Sequence, residues 1–214
     1  MSVALSLLVA FGIGYLAELA GWLRPRAAWA AALVGGIPLA VGGLPAALVV
    51  IFFVAAGTAA SRLNPRSRDR GGRTAFQVLA NGLPAAVGLV LGSPAFFLGA
   101  YAAALADTLA TEVGSRSSWA WHPLRGRVES GTNAAVSGTG TLALVLGAFW
   151  MAPWALALGI PAGPVVLGGV AGAVWDSLLG LLEDRYRWWG NDLTNLLATG
   201  LGGFVAWAVS RLTG

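Results

Sequence analysis

The sequence predicts an all-α fold, a polytopic bundle of about eight membrane-spanning helices forming one integral membrane domain over residues 1–214. Three observations carry the prediction. The chain is 57% hydrophobic and only 10% charged, with a mean hydropathy of +0.74, too little charge to cover a soluble surface of this size. Apolar runs of about the length that crosses a bilayer, roughly 17–25 residues, use up nearly all of it. The arginines then fall into alternate connections between those runs, as a multispanning topology requires.

In chain order the runs cover 3–22, 27–41, 45–61, 74–91, 94–112, 132–150, 164–182 and 192–211. The first lacks a basic leader and is long enough to span, so it reads as a membrane helix and not as a cleaved signal. The second is short and is interrupted by Gly35-Gly36 and Pro38. Turn residues separate the runs: Arg24-Pro25-Arg26, Gly42-Gly43-Leu44-Pro45, Gly92-Ser93-Pro94 and the stretch 159–164. The sequence has no cysteine, which excludes disulfides and thiolate sites.

All 13 basic residues are arginine. The first connection holds Arg24 and Arg26, the third Arg62, Arg66, Arg68, Arg70 and Arg73. The fifth holds Arg116, Arg125 and Arg127, and the seventh Arg185 and Arg187; the second, fourth and sixth carry no charge. The positive-inside rule makes the arginine side cytoplasmic, in the inner membrane, with both termini outside. The polar residues of the spans keep to the same side: Glu18, Gln77, Asn81, Asp107, Glu112, Asn133, Ser137, Asp176, Asp192 and Asn195 all lie within about three helical turns of it. A channel would spread such groups through its full depth. This pattern points to a one-sided site open to cytosolic solutes and to lipid.

Ionisable groups inside a membrane are costly and mark function by default. Continued as a helix, the fifth run puts Asp107, Thr108, Thr111, Glu112 and Ser115 on roughly one 140° arc. Ala106, Leu109, Ala110 and Val113 take the other side. The order Asp107-Thr108 then Thr132-Asn133 resembles Asp176-Ser177 then Thr194-Asn195, which predicts a parallel internal repeat of spans five-six and seven-eight. Such a repeat would set Asp107 and Asp176 across a shared cavity. Facing carboxylates there suit Mg²⁺, which takes one or two carboxylates together with substrate phosphates and waters. Asn133 and Asn195 are expected in the first turns of helices, where free N–H groups receive phosphate oxygens. Arg73, Arg125 and Arg127 would add positive charge. No phosphate-binding loop of the Gly-rich, lysine-containing kind exists, since the chain has no lysine.

The stretches 72–82, Asp107-Thr108 through Glu112-Val113-Gly114, Gly131-Thr132-Asn133 through Ser137, Asp176-Ser177-Leu178-Leu179-Gly180 and 191–195 resemble the DUF92/TMEM19-like membrane family, whose plant members include phytyl-phosphate kinase. Ala134-Ala135 stands where that family commonly has Gly-Gly, and Leu109 where an aromatic residue is frequent. The resemblance implies Mg²⁺-dependent phosphoryl transfer from a nucleoside triphosphate, CTP-like, to a prenyl monophosphate. It implies Asp107, Glu112 and Asp176 as catalytic metal ligands. Arg73, Gln77, Asn81, Thr108, Gly131, Thr132, Asn133, Ser137, Ser177, Asn191, Asp192 and Asn195 would then bind substrates. The partners expected are the nucleotide, the prenyl lipid and the membrane, with no nucleic acid; a homo-oligomer is left open. Two other readings keep the site and change its work: an isoprenyl-alcohol kinase, and an ion-coupled transporter using the break at Gly35, Gly36 and Pro38.

Overall fold

The computed structural model describes residues 1–213. It contains α1 Val3–Leu19, α2 Ala28–Leu63, α3 Ala75–Val90, α4 Pro94–Gly114, a β1 Ala120–His122 and β2 Gly126–Val128 hairpin, α5 Gly138–Phe149, α6 Ala152–Ala157, α7 Ala162–Arg185 and α8 Asn191–Thr213. The helices start where the sequence supplies caps. Thr74 and Gln77 close a reciprocal capping box on α3, Ser93 caps α4 ahead of Pro94, and Ser137 caps α5.

The bundle is built around α4. Every residue from Phe97 to Ala106 is buried, so this helix is enclosed on all sides. Phe97, Leu98, Tyr101 and Leu105 pack against Val49, Val50 and Phe53 of α2, Val165 of α7 and Met151. On the other side small residues bring backbones together. A Cβ on Gly172 would sit 2.7 Å from the Ala198 carbonyl, and one on Gly202 2.9 Å from the Gly168 carbonyl, so glycine sets how closely α7 and α8 approach. The outer faces are apolar: Leu8, Leu16, Leu19, Leu142, Leu156 and Leu167 are all exposed, as expected of surfaces that meet lipid.

Among the described residues, five helical stretches are long and apolar enough to cross a membrane: Ala28–Leu63, Pro94–Gly114, Gly138–Ala157, Ala162–Arg185 and Asn191–Thr213. The helices Val3–Leu19 and Ala75–Val90 are apolar but shorter. By length and apolarity alone these helices do not confirm the expected count of eight. The predicted spans 27–41 and 45–61 are one helical segment, α2, broken at Gly43, whose φ of 66° and ψ of −159° lie outside the helical region. The two limbs double back on each other, because Val34 and Phe53 line one cavity. A straight helix would hold them roughly 28 Å apart.

The sixth predicted span is corrected at its start. It opens at Gly138 rather than Thr132. The β-hairpin and the bridge between Trp121 and Val136 hold the preceding segment, and Gly131 and Ala134 take positive φ values of 88° and 56°. Thr132-Asn133 is thus non-helical while Thr194-Asn195 lies inside α8, so the two halves of the expected repeat differ in local structure.

The basic connections gather at one end. The Arg24 backbone N–H donates to the Arg73 carbonyl, and its side chain to the Gly72 carbonyl at 3.1 Å. Arg62 donates to the Ala20 carbonyl at 2.6 Å, and Arg66 to the Ser115 carbonyl at 2.9 Å. Arg125 pairs with Asp184 of α7 at 2.7 Å. Charges scattered along the sequence thus form one polar cap on an apolar bundle.

Candidate functional site

Beneath that cap α4 and α7 each contribute an aspartate. Small residues in their preceding turns, Ala103, Ala106, Gly172 and Ala173, keep the two helices close. The carboxyl groups of Asp107 and Asp176 lie within hydrogen-bonding reach of each other. Asp176 Oδ2 is buried and accepts from no donor among the described residues. Two carboxylates in contact repel unless a proton or a cation lies between them. Glu183, two turns further along α7, is close enough to act on both electrostatically.

Arg73, in the segment before α3, is close enough to Asp107 to act on it electrostatically. It is buried, its guanidinium lies 5.5 Å from the Phe53 ring centre, and its Nη2 reaches Thr108 Oγ1 at 3.5 Å. Its Nη1 is buried without an acceptor among the described residues. Burial lowers the guanidinium from its ordinary value, while Asp69, Glu112 and Asp107 oppose that shift. A buried cation with an unused donor thus stands near Asp107, whose partner Asp176 carries the unused carboxylate oxygen. A cavity of about 20 Å³ adjoins Arg73, lined also by Thr58, Gln77, Asn81 and Tyr101.

The remaining candidates divide by what already holds them. Glu112 does not join the aspartates. Its Oε1 accepts from Ser61 Oγ at 2.8 Å and Ser67 Oγ at 2.6 Å, and its Oε2 from Asn64 Nδ2 at 2.7 Å. The expected convergence of three acids on one ion is corrected accordingly, since among the described residues no group of three His, Asp or Glu is placed to hold a metal. Two carboxylates still fit Mg²⁺, which completes its octahedron with waters and phosphates, and the donorless oxygen of Asp176 is the atom that fits it.

Gln77 is committed to its capping box and to Asp69, to which its Nε2 donates at 2.9 Å; Asn81 donates to the Gln77 carbonyl at 3.0 Å. Thr108 and Ser177 donate back to the carbonyls of Ala104 and Ala173. Ser137 accepts from Gly140 N–H as a cap and donates to the Gly114 carbonyl. Asn133 is not in a helical first turn. Its amide donates to the Gly180 carbonyl at 2.9 Å and to Glu183 Oε2 at 3.2 Å, which ties the Gly131–Thr132 loop to α7. Asn191 and Asp192 are exposed at the start of α8, and Asn195 is buried further along it. Glu183 and Asp69 were absent from the expected site. The position of Glu183, two turns after Asp176 on one helix face, was the signal for it.

Comparison with known proteins agrees with the membrane architecture. The sequence pattern described as "Integral membrane protein DUF92" matches residues 8–203. An uncharacterized membrane protein of Methanocaldococcus jannaschii is 33% identical over 174 residues, covering 74% of this chain and 73% of that protein. No solved structure matches. The chain belongs to the DUF92 family of integral membrane proteins.

Proposed function

We propose that the protein is a membrane-embedded prenyl-phosphate kinase, moving a phosphoryl group from a CTP-like nucleoside triphosphate to a prenyl monophosphate, with the site on the cytoplasmic side. The observation that carries the reading is the Asp107–Asp176 pair, with its donorless carboxylate oxygen, beside the unpaired Nη1 of Arg73. Asp107 and Asp176 would hold Mg²⁺, which when bound supplies charge for the phosphates. Arg73 neutralises a further phosphate oxygen from the opposite side.

The acceptor monophosphate has a second pKa of about 6, so it is ionised at neutral pH. Its oxygen attacks the γ-phosphorus as the bond from that phosphorus to the β–γ bridging oxygen breaks, and the nucleoside diphosphate departs. No general base is needed, and catalysis is positioning and charge neutralisation. The apolar outer faces next to the site leave the prenyl tail in lipid. An alcohol acceptor is the second reading, supported by the donorless Oδ2 of Asp176, which would then take the hydroxyl proton in place of a metal bond.

Purified protein with labelled CTP and geranylgeranyl phosphate or geranylgeraniol tests both. The expected product is the lipid diphosphate, dependent on Mg²⁺, with Asp107→Asn and Asp176→Asn each losing at least about 100-fold in turnover. Product from the alcohol alone would favour the second reading. Uptake of solute into vesicles without nucleotide turnover would replace both with a transporter.

A further inference from the structure

A groove of about 430 Å³ opens at the β-hairpin, lined by His122, Leu124, Arg125, Leu181, Leu182, Asp184 and Arg185. It is separate from the aspartate pair and has no part in the reaction above. His122 is the chain's only histidine. Its ring is 1% exposed, and its Nδ1 accepts from the Leu124 backbone N–H at 3.1 Å. A neutral imidazole that accepts at Nδ1 carries its proton on Nε2. That Nε2 is buried without a partner among the described residues. The hairpin thus fixes a donor and leaves it unused beside a groove.

The other polar groups there set the sign of a ligand. Arg185 makes no ion pair among the described residues, and its guanidinium lies 5.6 Å from the Tyr186 ring centre. Arg125 pairs with Asp184, which also accepts from Asn133 Nδ2 at 3.4 Å. Asp184 is thereby neutralised and holds Arg125 in place, leaving the other guanidinium donors of Arg125 free. One N–H and two forked cations match an acceptor with several oxygens around one centre, which is the form of a phosphate.

We propose that this groove is a phosphate subsite, taking the phosphate of either a soluble phospho-compound or a lipid headgroup through His122 Nε2–H, Arg185 and Arg125. The proposal stands independently of the kinase reading. Because there is one histidine, ¹⁵N-histidine labelling gives a one-residue spectrum of the full chain in nanodiscs. In phosphatidylcholine discs without metal, the spectrum should show the Nε2-protonated tautomer. Its signal should move saturably with pyrophosphate, and Arg185→Gln should weaken that apparent affinity at least about fivefold. Phosphatidic acid in the disc should produce the shift by itself if the source is lipid, and leave the pyrophosphate titration unchanged if it is soluble. The Nδ1-protonated tautomer, a signal that neither probe moves, or an Arg185→Gln titration matching wild type would overturn the proposal.

Discussion

Asp107 and Glu112 share one helix and were expected to share one ion, yet the structure uses them differently. Glu112 is surrounded by three donors from the end of α2 and the following connection, so it ties that connection to α4. Glu112→Gln loses a charged acceptor whose hydrogen bonds contribute about 1.5–3 kcal/mol each. Thermal unfolding in detergent should show a marked drop in stability, with turnover per folded molecule falling far less than in Asp107→Asn. The aspartates were legible in the sequence because a carboxylate deep in an apolar run has few structural excuses. The donors around Glu112 were not legible, since Ser61, Asn64 and Ser67 are ordinary residues of a polar connection. Ala134 gives a second test at this scale. Its φ of 56° costs an L-residue about 1–2 kcal/mol. Ala134→Gly should therefore raise stability by roughly 1 kcal/mol, measured by the same unfolding assay.

At the scale of elements, the helix interiors were legible and two boundaries were not. Hydropathy located α4, α7 and α8 closely, since each is a long apolar run ending in charge. It placed the break of α2 between residues 41 and 45, but could not show that the break narrows to a single glycine, because Gly42-Gly43 reads the same as a longer loop. Nor could it show that Thr132-Asn133 is held by a small hairpin instead of opening a helix; the strands have three residues each, too short for a periodic signal. Glycines on α2 also seat the site. A Cβ on Gly57 would lie 2.5 Å from Arg73 Nη2 and 2.7 Å from Nη1. Gly57→Ala should push the guanidinium aside, lowering turnover while leaving the unfolding temperature close to wild type. Gly168→Leu should act on the bundle itself, since its side chain would run into Gly202 and Ala206 of α8. Overpacking of this kind costs about 1–3 kcal/mol, read as earlier thermal unfolding.

For the whole molecule, the arginine pattern along the chain becomes one polar cap, and the site lies just beneath it. The absence of cysteine makes the sidedness simple to check. Single cysteines at Gly71 and Gly190, both on open positions of arginine-bearing connections, should be labelled from the cytoplasmic side, and those at Leu91 and Gly163 from the other. Labelling of Gly71 and Gly163 positions from the same side would undo the orientation. The claim that matters most is narrower: Asp107 and Asp176 together hold a divalent ion. Electron paramagnetic resonance of Mn²⁺, titrated into the full chain with CTP present, reads it directly. Wild type should bind about one ion per chain, and Asp107→Asn and Asp176→Asn should each abolish that binding while Glu112→Gln retains it; undiminished Mn²⁺ binding in both aspartate variants would contradict the account.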